Sequence, residues 1–299
     1  MSFALGLKKA TMTKVIKDIP APKLSPNILV LLSIVSTQLG SAIAKSLFEQ
    51  LNPFAVVFLR VGFAALVLLI LWRPNWRAVN RSAYPVLLLF GLALALMNLS
   101  FYLAIERVPI GIAVALEFIG PLGVAVCNSR RWMDALWVGL AALGIILLAP
   151  ITSDLSLDPT GIALALTAGG FWAAYILLSA RVGQALPGGT GLAWAMTLGA
   201  IVLLPVGLIA GGPALLTPHL LLIGFGVALL SSALPYSLEL EALRRMPVRV
   251  FGVLLSLEPV AAALMGFLVL REMLALRAMI AILLVTIAAA GAARFSGQR

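Results

Sequence analysis

The sequence predicts an all-α integral membrane protein with ten transmembrane helices, arranged as two inverted five-helix repeats around a central cavity. Three observations predict it. The 299-residue chain is 62% hydrophobic and 11% charged, with a mean hydropathy of +1.11, too little polar surface to cover a soluble globule of that size. Ten apolar runs, each near the length that crosses a hydrocarbon core of about 30 Å, alternate with short segments holding most of the charge. Two of those runs, Val108 to Ala125 (VPIGIAVALEFIGPLGVA) and Met246 to Ala263 (MPVRVFGVLLSLEPVAAA), share a pattern. Pro109 matches Pro247 and Pro121 matches Pro259 at one offset, 138, and each run carries one carboxylate, Glu117 or Glu258.

In chain order, residues 1–27 read as a basic cytoplasmic tail with Lys8, Lys9, Lys14, Lys17 and Lys23, solvated and without a small-residue cleavage pattern after the first apolar run. The first repeat, 28–150, holds spans at 28–47, 54–72, 84–104, 108–127 and 134–150. The second, 160–294, holds spans at 160–180, 190–210, 219–240, 248–269 and 276–293. Short loops make sequential spans antiparallel neighbours. With both termini inside, the inner segments carry 16 Lys and Arg residues and the outer ones three, Arg107, Arg271 and Arg277. That bias sets the orientation. Five spans per half mean that the second half starts on the opposite side of the membrane, so the halves are inverted, the arrangement of alternating-access transporters. Gln38, Ser41 and Lys45 form a polar stripe on the first span, and an offset of 134 carries them to Trp172, Tyr175 and Ser179 on the sixth; Asn98 matches Tyr236 at 138.

The net charge of +10 is spread over loops rather than gathered in a patch, which argues for membrane topology and against nucleic acid. One cysteine, Cys127, read as a small buried apolar residue, and one histidine, His219, leave no disulfide, metal cluster or hydrolase triad to build, and no GxxxxGK[ST] phosphate loop exists. The chain is therefore expected to be neither an enzyme nor an ATPase, and to need no cofactor or metal.

Ionisable groups at membrane depth are functional by default. Glu117 shares a face with Ala113, Gly120 and Pro121, and Pro121 cannot donate to the Glu117 carbonyl, so an acceptor-rich pocket suited to an ammonium group is expected. The competing reading is an ion pair with Arg60, whose guanidinium could otherwise hold a substrate carboxylate in bidentate fashion. Asn98, Tyr102, Gln38, Trp172, Tyr175 and Tyr236 complete the expected substrate-binding set. Glu258, Pro121, Pro259 and Lys45 are assigned to coupling or gating, Glu258 as a proton carrier and Lys45 with snorkelling to the interface as its alternative. Glu239 and Glu241 read as solvated partners of Arg244 and Arg245.

The strings MNLSFYL, VPIGIAVALEFIGPL, FWAAYILLSARVG, SSALPYSLELEAL and FGVLLSLEPVAAA, spread over both halves, resemble the EamA branch of the drug/metabolite transporter superfamily. The resemblance implies a basket of helices whose cavity is walled by spans 1, 3, 4, 6, 8 and 9, with 5 and 10 at the periphery. It implies a bacterial inner-membrane exporter of small amino acids, threonine and homoserine foremost, with an exporter of other metabolites or drugs as the alternative. The expected partners are an amino acid, protons and membrane lipid. Positions carried by the resemblance are Gln38, Lys45, Asn98, Tyr102, Glu117, Trp172, Tyr175, Tyr236 and Glu258. The long basic tail and the charges of Glu241 and Arg244 depart from the family pattern.

Overall fold

Prolines preceded by capping residues start several of the helices. Ser25 accepts from the Ile28 N–H ahead of Pro26, Asn52 from Phe54 ahead of Pro53, and Asp158 from Thr160 ahead of Pro159. Each cap satisfies an orphan donor, and the proline that follows gives up an N–H that would have had no partner. The computed structural model describes residues 24–75, 79, 83–127, 133–148, 157–186, 189–243, 245, 246 and 248–295. The basic tail before residue 24, and Arg77, Arg81, Arg130, Arg131, Arg244 and Arg299 among the charges that set the expected orientation, lie outside those residues.

Thirteen α-helices occur among the described residues. The first six are α1 (Pro26–Ser46), α2 (Pro53–Trp72), α3 (Tyr84–Arg107), α4 (Ile110–Glu117), α5 (Ile119–Cys127) and α6 (Met133–Leu148). There follow α7 (Pro159–Ala185), α8 (Thr190–Gly211), α9 (Pro218–Ala228), α10 (Leu234–Leu243), α11 (Val248–Leu255), α12 (Glu258–Leu270) and α13 (Leu276–Phe295). Among the described residues, six helical stretches are long and apolar enough to cross a membrane, those starting at Pro26, Pro53, Tyr84, Pro159, Thr190 and Pro218. Large apolar side chains such as Ile70, Leu88, Ile209 and Leu222 are exposed on outward faces, as hydrocarbon rather than water as solvent requires. The chain is a multi-pass, all-helical membrane protein.

Three interruptions follow from prolines. Proline has no N–H for the carbonyl four residues back, and its ring clashes with that oxygen. Pro121 is four residues after Glu117, where α4 ends, and Pro259 is four after Leu255, where α11 ends. Leu255 follows Glu117 by 138 residues (255 − 117), the same offset that relates the prolines. Pro235 similarly follows Ser231, and there the chain opens into a π-turn over Leu229–Ala233 between α9 and α10. The runs at 108–127 and 248–269 are therefore interrupted at the prolines that mark them in the sequence, and the run expected as a span at 219–240 is interrupted as well.

Packing joins distant parts of the chain. The helix α3 lies along α7 and α8, α2 along α8 and α9, α1 along α10 and α12, α4 along α12, α5 along α7, and α6 along α13. Where α5 crosses α7 the backbones touch. A Cβ at Gly120 would sit 1.9 Å from the Gly169 carbonyl oxygen, and one at Gly169 would sit 2.6 Å from that of Glu117. Small residues allow such approach, and dense packing is what drives helix association in lipid.

One end of the bundle is tied by charge. Lys45 Nζ, at the end of α1, lies 2.5 Å from Glu272 Oε1 and donates to the Val108 carbonyl at 2.9 Å. Glu272, between α12 and α13, also accepts from the Ile110 N–H at 3.0 Å, capping α4 from another part of the chain. At the same end Arg107 pairs with Asp158 at 3.0 Å. That bond, with the Thr160 N–H, holds the Asp158 carboxyl below its ordinary range. The ends of α1, α3 and α12 thus meet the starts of α4 and α7.

Candidate functional site

A cavity of about 870 Å³ opens among α1, α2, α3, α4, α5, α7, the π-turn, α10, α11, α12 and α13. Its lining is drawn from the middle of α1 and α3, both sides of the breaks after α4 and α11, and the C-terminal halves of α7 and α13. No residue of the Lys45–Glu272 network borders it. The cavity therefore lies toward the end of the bundle opposite that network.

Local sequence explains how the side chains reach it. The stripe on α1 presents Gln38 and Ser41, three residues apart on one helix face. Trp172, Tyr175 and Ser179 do the same on α7. Glu117 is the last residue of α4 and Glu258 the first of α12, so both carboxylates sit at helix breaks. Ser231 and Tyr236 are five apart, which in a continuous α-helix would turn them to different faces; the intervening π-turn, with its wider spacing, lets both line the cavity.

Arg60 is the cation of the cavity wall among the described residues, and only 5% of it is exposed. Its Nε donates to Ser232 Oγ at 3.0 Å and its Nη2 to the Ser231 carbonyl at 2.9 Å, and its guanidinium lies 5.2 Å from the Tyr102 ring centroid. The π-turn supplies a second free acceptor, the Leu230 carbonyl, which takes Ser36 Oγ at 2.6 Å. Glu117 forms no ion pair with Arg60 within 4.0 Å among the described residues, so the competing ion-pair reading does not hold for either group. The Glu117 carbonyl freed by Pro121 does not face an ammonium pocket; it lies against the Gly169 backbone.

Of the residues singled out from sequence, Gln38, Arg60, Asn98, Glu117, Pro121, Trp172, Tyr175, Tyr236 and Glu258 border the cavity. Three do not. Tyr102 is fully buried behind Arg60, packed on Phe48 and Phe101, because its ring serves as the guanidinium's platform. Pro259 is buried in the first turn of α12. Lys45 is anchored in the ionic network rather than snorkelling, since a carboxylate and a carbonyl lie within its reach.

Glu239 corrects the opposite way. Expected as a solvated partner of the basic pair, it lines the cavity, while Glu241 pairs with Arg245. Its spacing of three from Tyr236 was the available signal. Helices expected at the periphery or away from the wall also contribute, α13 through Ala289 and α2 through Arg60. Cys127 is exposed at the end of α5 rather than buried. Phe101, Phe118 and Phe251, which no polar pattern marks, add apolar wall.

The EamA-like transporter family matches residues 24–149 and again residues 159–294. The chain belongs to this family. The match is to transporters and not to enzymes. The chain is 46% identical over 252 residues to the threonine/homoserine exporter RhtA of Salmonella typhimurium strain LT2, covering 83% of this chain and 84% of that protein. It is 44% identical over 252 residues, with the same coverage, to RhtA of Escherichia coli strain K12. An uncharacterized transporter of Bacillus subtilis strain 168, YwfM, is 26% identical over 236 residues, covering 76% of this chain and 79% of its own. A solved crystal structure superposes with a TM-score of 0.63 at 17% identity, over 88% of this chain and 95% of that one, which establishes the likeness of fold.

Proposed function

We propose that the protein exports small amino acids of the threonine and homoserine class across the bacterial inner membrane, by alternating access and coupled to a proton gradient. The observation that carries the reading is the cavity's charge pattern. Arg60 stands in one wall and Glu117, Glu239 and Glu258 in the others, so a zwitterion finds a cation for its carboxylate and an acid for its ammonium. The name of the relatives at 44–46% identity supplies the substrate class. In this reading Glu117 receives the ammonium and Arg60 the carboxylate. Gln38, Asn98, Trp172, Tyr175 and Tyr236 shape the rest of the pocket, and Tyr102 acts through Arg60.

Three carboxylates facing one guanidinium leave the empty cavity with more acid than base. A zwitterion does not change that balance; protons do. Glu258, at the proline break of α12, is assigned the exchanged proton, and the breaks at Pro121 and Pro259 are assigned the hinging of the two halves.

The ten-span, two-repeat arrangement is supported by three independent features. The family match occurs twice. The breaks after Glu117 and Leu255 fall at one offset. Several of the main helix pairs are also kept when each span is exchanged for the one five places on: α1 with α10 becomes α7 with α3, α1 with α12 becomes α7 with α5, α3 with α8 becomes α9 with α2, and the α2–α8 and α6–α13 pairs map onto themselves. With both termini cytoplasmic, the Lys45–Glu272 network seals the outer end and the cavity lies toward the inside. Lys45 is then a gating residue, and Glu272, unmarked by any sequence pattern, is its partner.

The test is a reconstituted-liposome screen of amino acids with and without a pH gradient. Threonine and homoserine flux that exceeds that of other amino acids and rises with the gradient is expected. Flux of unrelated drugs with no amino-acid flux would overturn the reading.

A further inference from the structure

We infer that the π-turn Leu229–Ala233 is a positioning element for Arg60, with Ser232 and Pro235 its key residues, so that the guanidinium is presented in one fixed pose to the carboxylate of the transported amino acid. This rests on the proposal that Arg60 receives that carboxylate.

The inference begins with Pro235. In an α-helix the Ser231 carbonyl would accept from the N–H of residue 235, and proline has none. A buried carbonyl without a partner is costly, and more so in a membrane bundle. Here it takes the Arg60 Nη2–H at 2.9 Å. The neighbouring Ser232 hydroxyl takes the Nε–H at 3.0 Å, which is possible because the wider turn brings consecutive residues 231 and 232 toward the same side chain. Tyr102 closes the third side with its ring. Carbonyl, hydroxyl and ring are all uncharged, so none of them neutralises the guanidinium.

That distinction separates a positioned ligand group from a structural tie. A buried arginine whose task is to hold α2 to α10 would be expected to meet a carboxylate, since a lone buried cation is otherwise unfavourable. Glu117 shares the cavity yet makes no ion pair with Arg60 within 4.0 Å among the described residues. Two of the five guanidinium N–H groups are committed to the π-turn, and the side chain still borders the cavity, leaving donors for an incoming anion. Gly40 completes the support, because a Cβ there would meet the Ser231 Cβ and N at 2.9 Å, so α1 presses the turn against α2.

The experiment compares threonine with threonine amide, which keeps the ammonium and hydroxyl but has no anion, in liposomes containing the wild-type protein, Ser232→Ala, Ser232→Thr, Pro235→Ala and Arg60→Lys. The wild type is expected to transport threonine with a much lower KM than the amide. Ser232→Ala raises the threonine KM about tenfold with the maximal rate and the amide KM little changed, since one hydrogen bond to a charged group is lost. Ser232→Thr, which keeps the hydroxyl, restores the low KM; Pro235→Ala, which lets the Ser231 carbonyl return to the helix ladder, and Arg60→Lys, which lacks the fork, erase the preference. Should Pro235→Ala fail to fold, the Ser232 pair and Arg60→Lys decide the matter alone. A Ser232→Ala protein whose KM rises equally for both compounds, or that merely unfolds at lower temperature with unchanged preference, overturns the positioning role. Wild-type transport of threonine without preference over the amide overturns the carboxylate assignment to Arg60, and absence of threonine transport overturns the proposed function itself.

Discussion

On the proposed reading, breaking the Lys45–Glu272 tie should open the outer end of the bundle and give access to the cavity from that side. The side chains of Lys45 and Glu272 are only 18% and 15% exposed, so the pair is screened less than a surface bridge. Lys45→Met removes the ion pair and the bond to the Val108 carbonyl, leaving Glu272 with the Ile110 N–H. Both contacts are made by one partly exposed ammonium that water solvates when the tie is broken, so they are counted together as one hydrogen-bonded charged group, about 2 kcal/mol within the range of about 1.5–3 kcal/mol for such groups. At about 1.4 kcal/mol per factor of ten, the ratio of sealed to open states should fall by roughly 30-fold. The assay places a reporter thiol at Ser41, which borders the cavity, on a Cys127→Ser background, because Cys127 is itself exposed. An impermeant maleimide applied from the periplasmic side should label Ser41→Cys roughly 10- to 30-fold faster when Lys45 is Met. The exchange Lys45→Glu with Glu272→Lys should return the rate toward that of the parent, though not fully, since the Ile110 N–H then loses its acceptor. Labelling that is indifferent to Lys45→Met would refute the gate, as would acceleration only from the cytoplasmic side.

Other outcomes follow from the same geometry. Glu258→Gln should abolish pH-driven threonine flux while leaving exchange down a threonine gradient partly intact, whereas Glu117→Gln should lower both; paired counterflow and gradient-driven assays separate them. Glu239→Gln should reduce transport at least tenfold and Glu241→Gln should leave it within twofold, because the first borders the cavity and the second pairs with Arg245; equal effects of the two would contradict the cavity assignment. Gly120→Ala drives a methyl to 1.9 Å from the Gly169 oxygen and should destabilise the fold by about 3 kcal/mol, while Gly123→Ala, with open space around it, should be neutral or mildly stabilising in a thermal unfolding series.

How much was legible in the sequence depended on the range of the physics involved. Pro121 and Pro259 act on a carbonyl four residues away, so the breaks after Glu117 and Leu255 could be expected from local sequence alone. The same logic applied to Pro235, yet its consequence, a π-turn in place of a regular helix, changes the angular relation of everything on either side of it. For that reason no local pattern marks Ser231 and Ser232, whereas Tyr236 is marked by its match to Asn98. Glu239 has Arg244 and Arg245 near it in sequence, but proximity along the chain is a poor guide where a helix turns one face to a cavity and another to solvent. Glu272 carried no signal at all, since its partner Lys45 is 227 residues away.

Composition and spacing determined the helical membrane class, the paired proline motifs and most of the polar groups that border the cavity, because hydrocarbon as solvent permits few ways to bury a backbone and few reasons to bury a charge. Tertiary structure alone decided which charges meet. It set Arg60 on uncharged acceptors rather than on Glu117, turned Lys45 to Glu272, and withdrew Tyr102 behind the guanidinium. Those choices rest on contacts between helices far apart in the chain, where packing at close range, as between Gly120 and Gly169, determines which side chains can reach one another.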